Sequence, residues 1–205
     1  MAFGLGTLSR TRIKAAIRRL LRTGIFYEEG ELFMCSLRPT TLLDVVLEEL
    51  HPGAVLDVGC GTGQTLAYLA NRGVRVLGVE GSVMAIAHGT LPALMRRADL
   101  QRRLDLGERF DVVWSYEVAE HIHPRFADVF VDTLARHGDR VVMSAAQPGQ
   151  GGEGHFNEQP PEYWIAHMSR RGFELDEALT ARLRATPDEF ARNMLAFRRP
   201  SAVDG

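Results

Sequence analysis

One stretch of this chain, VLDVGCGTG over residues 55–63, restricts the fold more than any other. It opens as a short apolar run, AVLDVG (54–59). It then places Gly59, Gly61 and Gly63 at alternate positions before a helical segment, GQTLAYLANRG (63–73). Glycine adopts backbone angles that other residues avoid, so three in one turn let the chain bend sharply and let a ligand touch the main chain. A strand feeding a helix through such a turn predicts a parallel α/β sheet, whose ligands bind at the carboxyl ends of its strands.

The pattern continues downstream. VRVLGVE (74–80), a weaker stretch within PALMRRADL (92–100), FDVVWSY (110–116) and DRVVMSAA (139–146) read as strands. Between them, SVMAIAHG (82–89), with Ser82 as N-cap, and PRFADVFVDTLARHG (124–138) read as helices. LRPTTLLDVVLEEL predicts a helix through Leu50 stopped by Pro52 and Gly53, and PPEYWIAHMSRRG (160–172) a late one. ARNMLAFRRP (191–200) reads as an edge strand. Strand alternating with helix implies a parallel sheet covered on both faces. Residues 9–24 carry Arg10, Arg12, Lys14, Arg18, Arg19 and Arg22 over a seam of Ile13, Ile17, Leu20 and Leu21. This predicts an amphipathic helix, either a solvated basic face or a cap over the site. The expected organisation is an N-terminal helical cap (1–50), a catalytic domain (51–200) and a frayed tail (201–205).

Composition narrows the class. With 205 residues, 45% apolar and 24% charged, the chain suits one globular domain, and a net charge of −2 imposes no global attraction for nucleic acid. Cys35 and Cys60 form no disulfide framework and read as free thiols of a cytoplasmic protein. No apolar run spans a bilayer, and no signal peptide is expected.

The glycine spacing is G-x-G-x-G. A nicotinamide-dinucleotide fingerprint would want glycine or alanine where Gln64 stands. Glu80, about 20 residues on at the end of the second strand, stands where an acid commonly takes ribose hydroxyls. VLDVGCGTG, Glu80, RADL around Asp99 and FDVVWSYEVAEHI together resemble the ordered motifs of class I S-adenosylmethionine-dependent methyltransferases, over roughly residues 50 to 146. The resemblance implies a Rossmann-like, seven-stranded, mostly parallel sheet ending in an antiparallel hairpin. It also implies a cofactor site. Gly59, Cys60, Gly61, Gly63, Asp57 and Ser115 would lie along the methionine part, Glu80 on the ribose diol, Asp99 on the adenine amino group and Leu100 at the ring.

Directly after the fourth strand come Glu117, Glu120, His121 and His123. On one helical turn the spacing i, i+3, i+4 would put Glu117, Glu120 and His121 on one face. Two carboxylates and an imidazole there compete unless something positive joins them, and a divalent cation is the economical partner. His155, after the glycine run in GQGGEGHFNEQPPEYW, is the expected fourth ligand. E-x-x-E-H with a distant histidine resembles the metal site of Hen1-type 2′-O-methyltransferases and of ubiquinone-type O-methyltransferases. That resemblance implies Glu117, Glu120, His121 and His155 as ligands and His121, Glu117 and His155 as catalytic groups. Carboxylate and imidazole ligands accept Mg, Mn, Fe, Co, Ni or Zn. Two other readings stay open: a metal-free pocket with a histidine base, and plain helix capping. His123 is expected to be exposed, and His51, His88, His137 and His167 to carry no chemistry.

The function expected is O-methylation of a hydroxyl on a small molecule, a sugar or hydroxylated natural product, with Tyr163 or Trp164 in the acceptor pocket or simply packed. The alternatives are an RNA-end 2′-O-methyltransferase, with the basic helix and Arg96, Arg97, Arg102 and Arg103 on phosphates, and a non-catalytic cofactor-binding subunit. The sequence does not set the oligomeric state.

Overall fold

The computed structural model describes residues 37–152 and 154–200. The basic helix expected over 9–24, Cys35 and the tail lie outside these residues. Strands β1 (Ala54–Val58), β2 (Arg75–Glu80), β3 (Met95–Arg97), β4 (Val112–Ser115), β5 (Arg140–Ser144), β6 (Glu174–Leu175) and β7 (Met194–Arg198) form one sheet in the order β3-β2-β1-β4-β5-β7-β6. Only β7 runs against the rest, pairing antiparallel with both β5 and β6. This is the α/β sheet that the motif order implies. The final strand is interior rather than at the edge, however, because β6 pairs beyond it.

Helices α1 (Thr40–Leu50), α2 (Gln64–Ala70), α3 (Val83–Ala87), α4 (Ala127–His137), α5 (Pro161–Ser169) and α6 (Glu177–Arg184) cover the sheet. Alternate residues of each strand point to opposite faces. Leu56, Val58 and Val113 therefore pack with Phe130 and Leu134 of α4 and Trp164 and Met168 of α5. Val55, Val112 and Trp114 pack on the other face with Leu42 and Val46 of α1, Leu66 and Leu69 of α2, and Leu183 of α6. Burial on both faces explains why these strands read as unbroken apolar runs. Helix α1, assigned to the cap in the sequence, packs on α2 and α6.

Local signals set several boundaries. The Ser82 hydroxyl accepts from Ala85 N at 3.1 Å and caps α3 as expected. The helix expected over 124–138 opens instead as a 3-10 turn (Pro124–Phe126), because Pro124 brings no N–H and the His123 ring accepts from Arg125 N. His123 is half-buried rather than exposed, with its ring 6.4 Å from that of Phe126. His137 has a structural role. Its Nδ1 donates to Thr133 O at 2.7 Å, and its Nε2 accepts from Leu106 N at 3.0 Å.

Going from β1 to β2 and β3, the chain moves to one side, then returns to place β4 on the other side of β1. The carboxyl ends of β1 and β4 thus diverge over a crevice, the switch point at which open α/β sheets bind ligands.

Candidate active site

The glycine turn sits at this crevice. Gly59 N and Cys60 N both donate to Val79 O, at 2.9 and 3.1 Å, so the turn is laid across the end of β2. Gly59, Gly61 and Gly63 all adopt positive φ, 83°, 53° and 76°. Gly63 is also the residue from which α2 starts. A Cβ on Gly59 would overlap the Val118 side chain. The main chain here runs bare along the crevice.

Three buried groups surround the turn. Glu80 takes Gly61 N on Oε2 at 2.9 Å and Ser82 N on Oε1 at 2.7 Å, and Gly81 N lies close to the same carboxyl. Burial pushes its carboxyl up against the lowering effect of these three N–H groups. Asp57, 3% exposed, has no cationic neighbour among the described residues; burial first and Glu80 second push its carboxyl up to about 8. The Cys60 thiol is free and buried, and burial pushes it up as well. Ser115 Oγ donates to Val58 O at 2.8 Å and ties the ends of β1 and β4 together. Asp99 is half-buried at the far side, accepting from Gln101 N at 3.0 Å and paired with Arg102 at 3.4 Å; Leu100 beside it is buried. Arg96 pairs with Glu108 at 3.6 Å, so two of the four arginines considered for phosphates are already engaged.

Beyond β4 the chain does not form the helical turn expected from the glutamate spacing. Glu117 takes left-handed backbone angles (φ 54°), and only Ala119–His121 form a 3-10 turn. Glu117, Glu120 and His121 therefore do not share one helical face. Glu117 is instead held from the sheet: its N donates to Ser144 Oγ at 2.6 Å, and that hydroxyl donates back to Glu117 Oε1 at 2.8 Å. Asn193, buried beside β7, adds a longer contact from Nδ2 to the same oxygen at 3.4 Å.

Glu120 is fully buried, and among the described residues neither of its carboxylate oxygens makes a well-formed hydrogen bond; its polar neighbours are the N–H groups of Glu120 and Ala146 and the Glu117 carboxyl. Burial, with Glu117 next to it, pushes its carboxyl well above the usual carboxylate range. Its backbone carbonyl accepts from both Phe156 N (2.9 Å) and Asn157 N (3.0 Å), which draws the glycine-rich loop onto this turn and brings in His155. The His121 and His155 rings meet edge to face, 5.0 Å apart. His121 Nδ1 must donate to Gly154 O (3.2 Å), since a carbonyl only accepts, and its Nε2 keeps a lone pair. Burial, then His155, pushes this imidazole down to about 4, so the ring is neutral at pH 7.

Glu120, His121 and His155 each offer one ligand atom, and these atoms lie within 4.8 Å of one another. Glu117 is not in that set. A buried carboxylate without a well-formed hydrogen bond, facing two imidazoles, suits a divalent cation, because burying an unpaired charge is otherwise costly. Ser144, Asn193 and Glu158 complete the surroundings and were not singled out in the sequence; of these only Glu158, three residues from His155, left a spacing signal. Trp164 is fully buried in the core, and Tyr163 packs on it and on His167, with centroids 5.0 and 4.5 Å away. Their role is packing.

Comparison with known proteins agrees with this architecture. Residues 56–139 match the family described as a methyltransferase domain. A ubiquinone biosynthesis O-methyltransferase of Nitrobacter winogradskyi is 35% identical over 149 residues, covering 68% of this chain and 53% of that protein. One from a Chelativorans species is 32% identical over 88 residues, 40% of this chain and 34% of that protein. The chain thus spans about half the length, or less, of these curated relatives. In fold it is similar to the sugar N-methyltransferase KedS8 from a Streptoalloteichus species (TM-score 0.68, 18% identity, 98% of this chain and 99% of that one). It is also similar to the methyltransferase domain of bacterial CtHen1-C (TM-score 0.58, 18% identity, 80% and 98%). With its strand order, its glycine turn at the switch point and the match over residues 56–139, the chain carries a methyltransferase domain of the class I, S-adenosylmethionine-dependent architecture.

Proposed function

We propose that this chain is an S-adenosylmethionine-dependent O-methyltransferase that methylates a hydroxyl of a small molecule, a sugar or hydroxylated natural product, in the cytoplasm. We propose further that a divalent cation assists it. The bare glycine turn fits the methionine part of the cofactor, along Asp57, Gly59, Cys60, Gly61, Gly63 and Ser115. Glu80, a buried carboxyl held at the glycine turn by Gly61 N and Ser82 N, suits the ribose diol, and Asp99 and Leu100 the adenine. S-adenosylmethionine supplies a sulfonium-activated methyl group, so the protein has mainly to align the acceptor oxygen with it. A cation at Glu120, His121 and His155, with Glu117 alongside, supplies positive charge that favours loss of the hydroxyl proton. The observation that carries the cation is the fully buried Glu120 carboxylate, which makes no well-formed hydrogen bond among the described residues and lies with His121 and His155. No helix among the described residues is long and apolar enough to cross a membrane.

The test is a screen of sugar and polyphenol acceptors with labelled cofactor, with and without excess EDTA. Transfer to a hydroxyl is expected to stop in EDTA and to return with added Mn or Zn. His155→Ala is expected to lower kcat/KM by about 100-fold, in the range of lost metal ligation or its supporting contacts. Full turnover in EDTA would remove the cation from the mechanism.

Asp57 makes a separate prediction. Its folded-state pKa, about 8, lies above the usual 3.8. A raised carboxyl adds stability that is complete below 3.8 and is lost as pH climbs to about 8, so melting of the cofactor-free protein should fall across that window. The cationic cofactor reverses the balance by favouring the carboxylate. Binding at pH 7 should release about one proton, read by calorimetry in buffers of different ionisation enthalpy. Asp57→Asn should flatten the melting profile and abolish the proton release. A wild-type protein releasing none would refute the assignment.

A further inference from the structure

Glu158 stands outside every ligand set considered above, yet one carboxylate of this residue gathers the whole loop. Its Oε2 accepts from Gly149 N at 2.9 Å, and its Oε1 accepts from Gly151 N at 2.7 Å and from His155 Nδ1 at 2.9 Å. The side chain is mostly shielded, 18% exposed, as is His155 at 11%. An ionised carboxylate only accepts, so Nδ1 of His155 carries a hydrogen, and in the neutral ring Nε2 is the nitrogen with the lone pair. The lone pair left to meet Glu120 and His121 is therefore the Nε2 one. Space is kept open at that nitrogen: a Cβ on Gly152 would overlap His155 Nε2. His121 is prepared the same way by a different acceptor, Gly154 O, which belongs to the same loop.

We infer that Glu158 is the positioning residue of the cation site: it sets the His155 tautomer and, through Gly149 and Gly151, couples that ring to the shape of the 149–155 loop. This rests on the cation reading above. The coupling has a mechanical consequence. Gly149 and Gly151 hold positive φ (85° and 73°), angles at which few other residues settle. The two N–H groups that point at Glu158 exist in that arrangement only while the loop is folded. Loop closure and presentation of the Nε2 lone pair are then a single event, in which one carboxylate serves both. Carboxylate–histidine pairs of this kind fix the ring orientation and raise the basicity of the ligating nitrogen.

The experiment uses the full chain with 15N-labelled histidine. Imidazole 15N shifts are read without metal at pH 7, followed by Co2+ titration by calorimetry. The wild type is expected to show His155 as the Nδ1–H tautomer, and Glu158→Ala a mixture of tautomers. Co2+ affinity should fall by about 10- to 100-fold in Glu158→Ala. In a His155→Ala background the same change should alter Co2+ affinity by less than about twofold, because the two residues act as one unit. S-adenosylmethionine affinity should be unchanged throughout, and Glu158→Gln should retain the fold with an intermediate effect if the alanine variant folds poorly. Unchanged tautomer and unchanged Co2+ affinity in Glu158→Ala and Glu158→Gln would overturn the inference. A wild type that binds no Co2+ would remove the cation reading alone, and the tautomer shifts would still decide whether Glu158 positions His155.

Discussion

Gly59→Ala is expected to weaken S-adenosylmethionine binding by about 100-fold or more while leaving the chain folded. Two costs combine. At φ 83° an alanine Cβ is strained against its own backbone, by roughly 1–2 kcal/mol. The same Cβ would overlap Val118 Cγ2 and lie 3.0 Å from Cγ1. Overpacking of this kind costs typically about 1–3 kcal/mol. Val118 immediately precedes the turn of Glu120 and His121, so its retreat moves the cation cluster too. Relaxing the turn is the alternative, and that carries the bare main chain away from the cofactor. Each 1.4 kcal/mol that falls on binding is about tenfold in affinity, so even half of the combined cost gives a large loss. Gly59→Ala with Val118→Ala should recover the overlap and not the backbone strain. Calorimetric titration with the cofactor, alongside urea melts, separates the two. Wild-type affinity in the single variant would show that the turn does not touch the cofactor.

The second large effect runs opposite for stability and activity. Glu120→Met is expected to stabilise the metal-free protein by about 1–3 kcal/mol and to abolish methyl transfer, since a buried carboxyl without well-formed hydrogen bonds is a net cost in the folded state. For a chain of this size each kcal/mol raises Tm by about 2–4 °C. The pH dependence fixes the cause. Glu120 is raised in the folded state, so its stabilising share is complete below the ordinary carboxylate range and is lost as pH rises. The advantage of methionine should therefore be larger at neutral pH, shrink as the pH falls towards the ordinary carboxylate range, and stay constant below it. Melts in EDTA across that span, with Glu120→Gln as the isosteric comparison, measure it. A destabilised Glu120→Met protein at pH 7 would mean that the carboxylate has native partners, and the case for a cation would fall with it.

The parts legible in the sequence were those written in local chemistry. Three closely spaced glycines after an apolar run required a tight turn, Ser82 announced a cap, and the apolar runs of β1, β2, β4 and β5 matched their doubly buried places in the sheet. Helix α6 and strand β6 escaped notice. EALTARLR carries little apolar periodicity, and two residues of strand leave no pattern; Asp176, which caps α6 by accepting from Leu179 N, was the only local sign. The backbone at Glu117 was misjudged for a different reason. Its left-handed angles are imposed by Ser144, which grips both its N–H and its carboxylate from 27 residues away. Asn193 reaches the same glutamate from 76 residues away. Helical spacing is a statement about neighbours in the chain, and here partners distant in sequence prevailed.

The loop that brings in His155 hangs from the main-chain oxygen of Glu120, through Phe156 N and Asn157 N. Such a fastening is indifferent to which side chains occupy the segment ahead of it. The side chains of residues 147 and 148 can change character while the imidazole is still delivered to its place, because Gly149, Gly151, Phe156 and Asn157 are all held through their main-chain N–H groups.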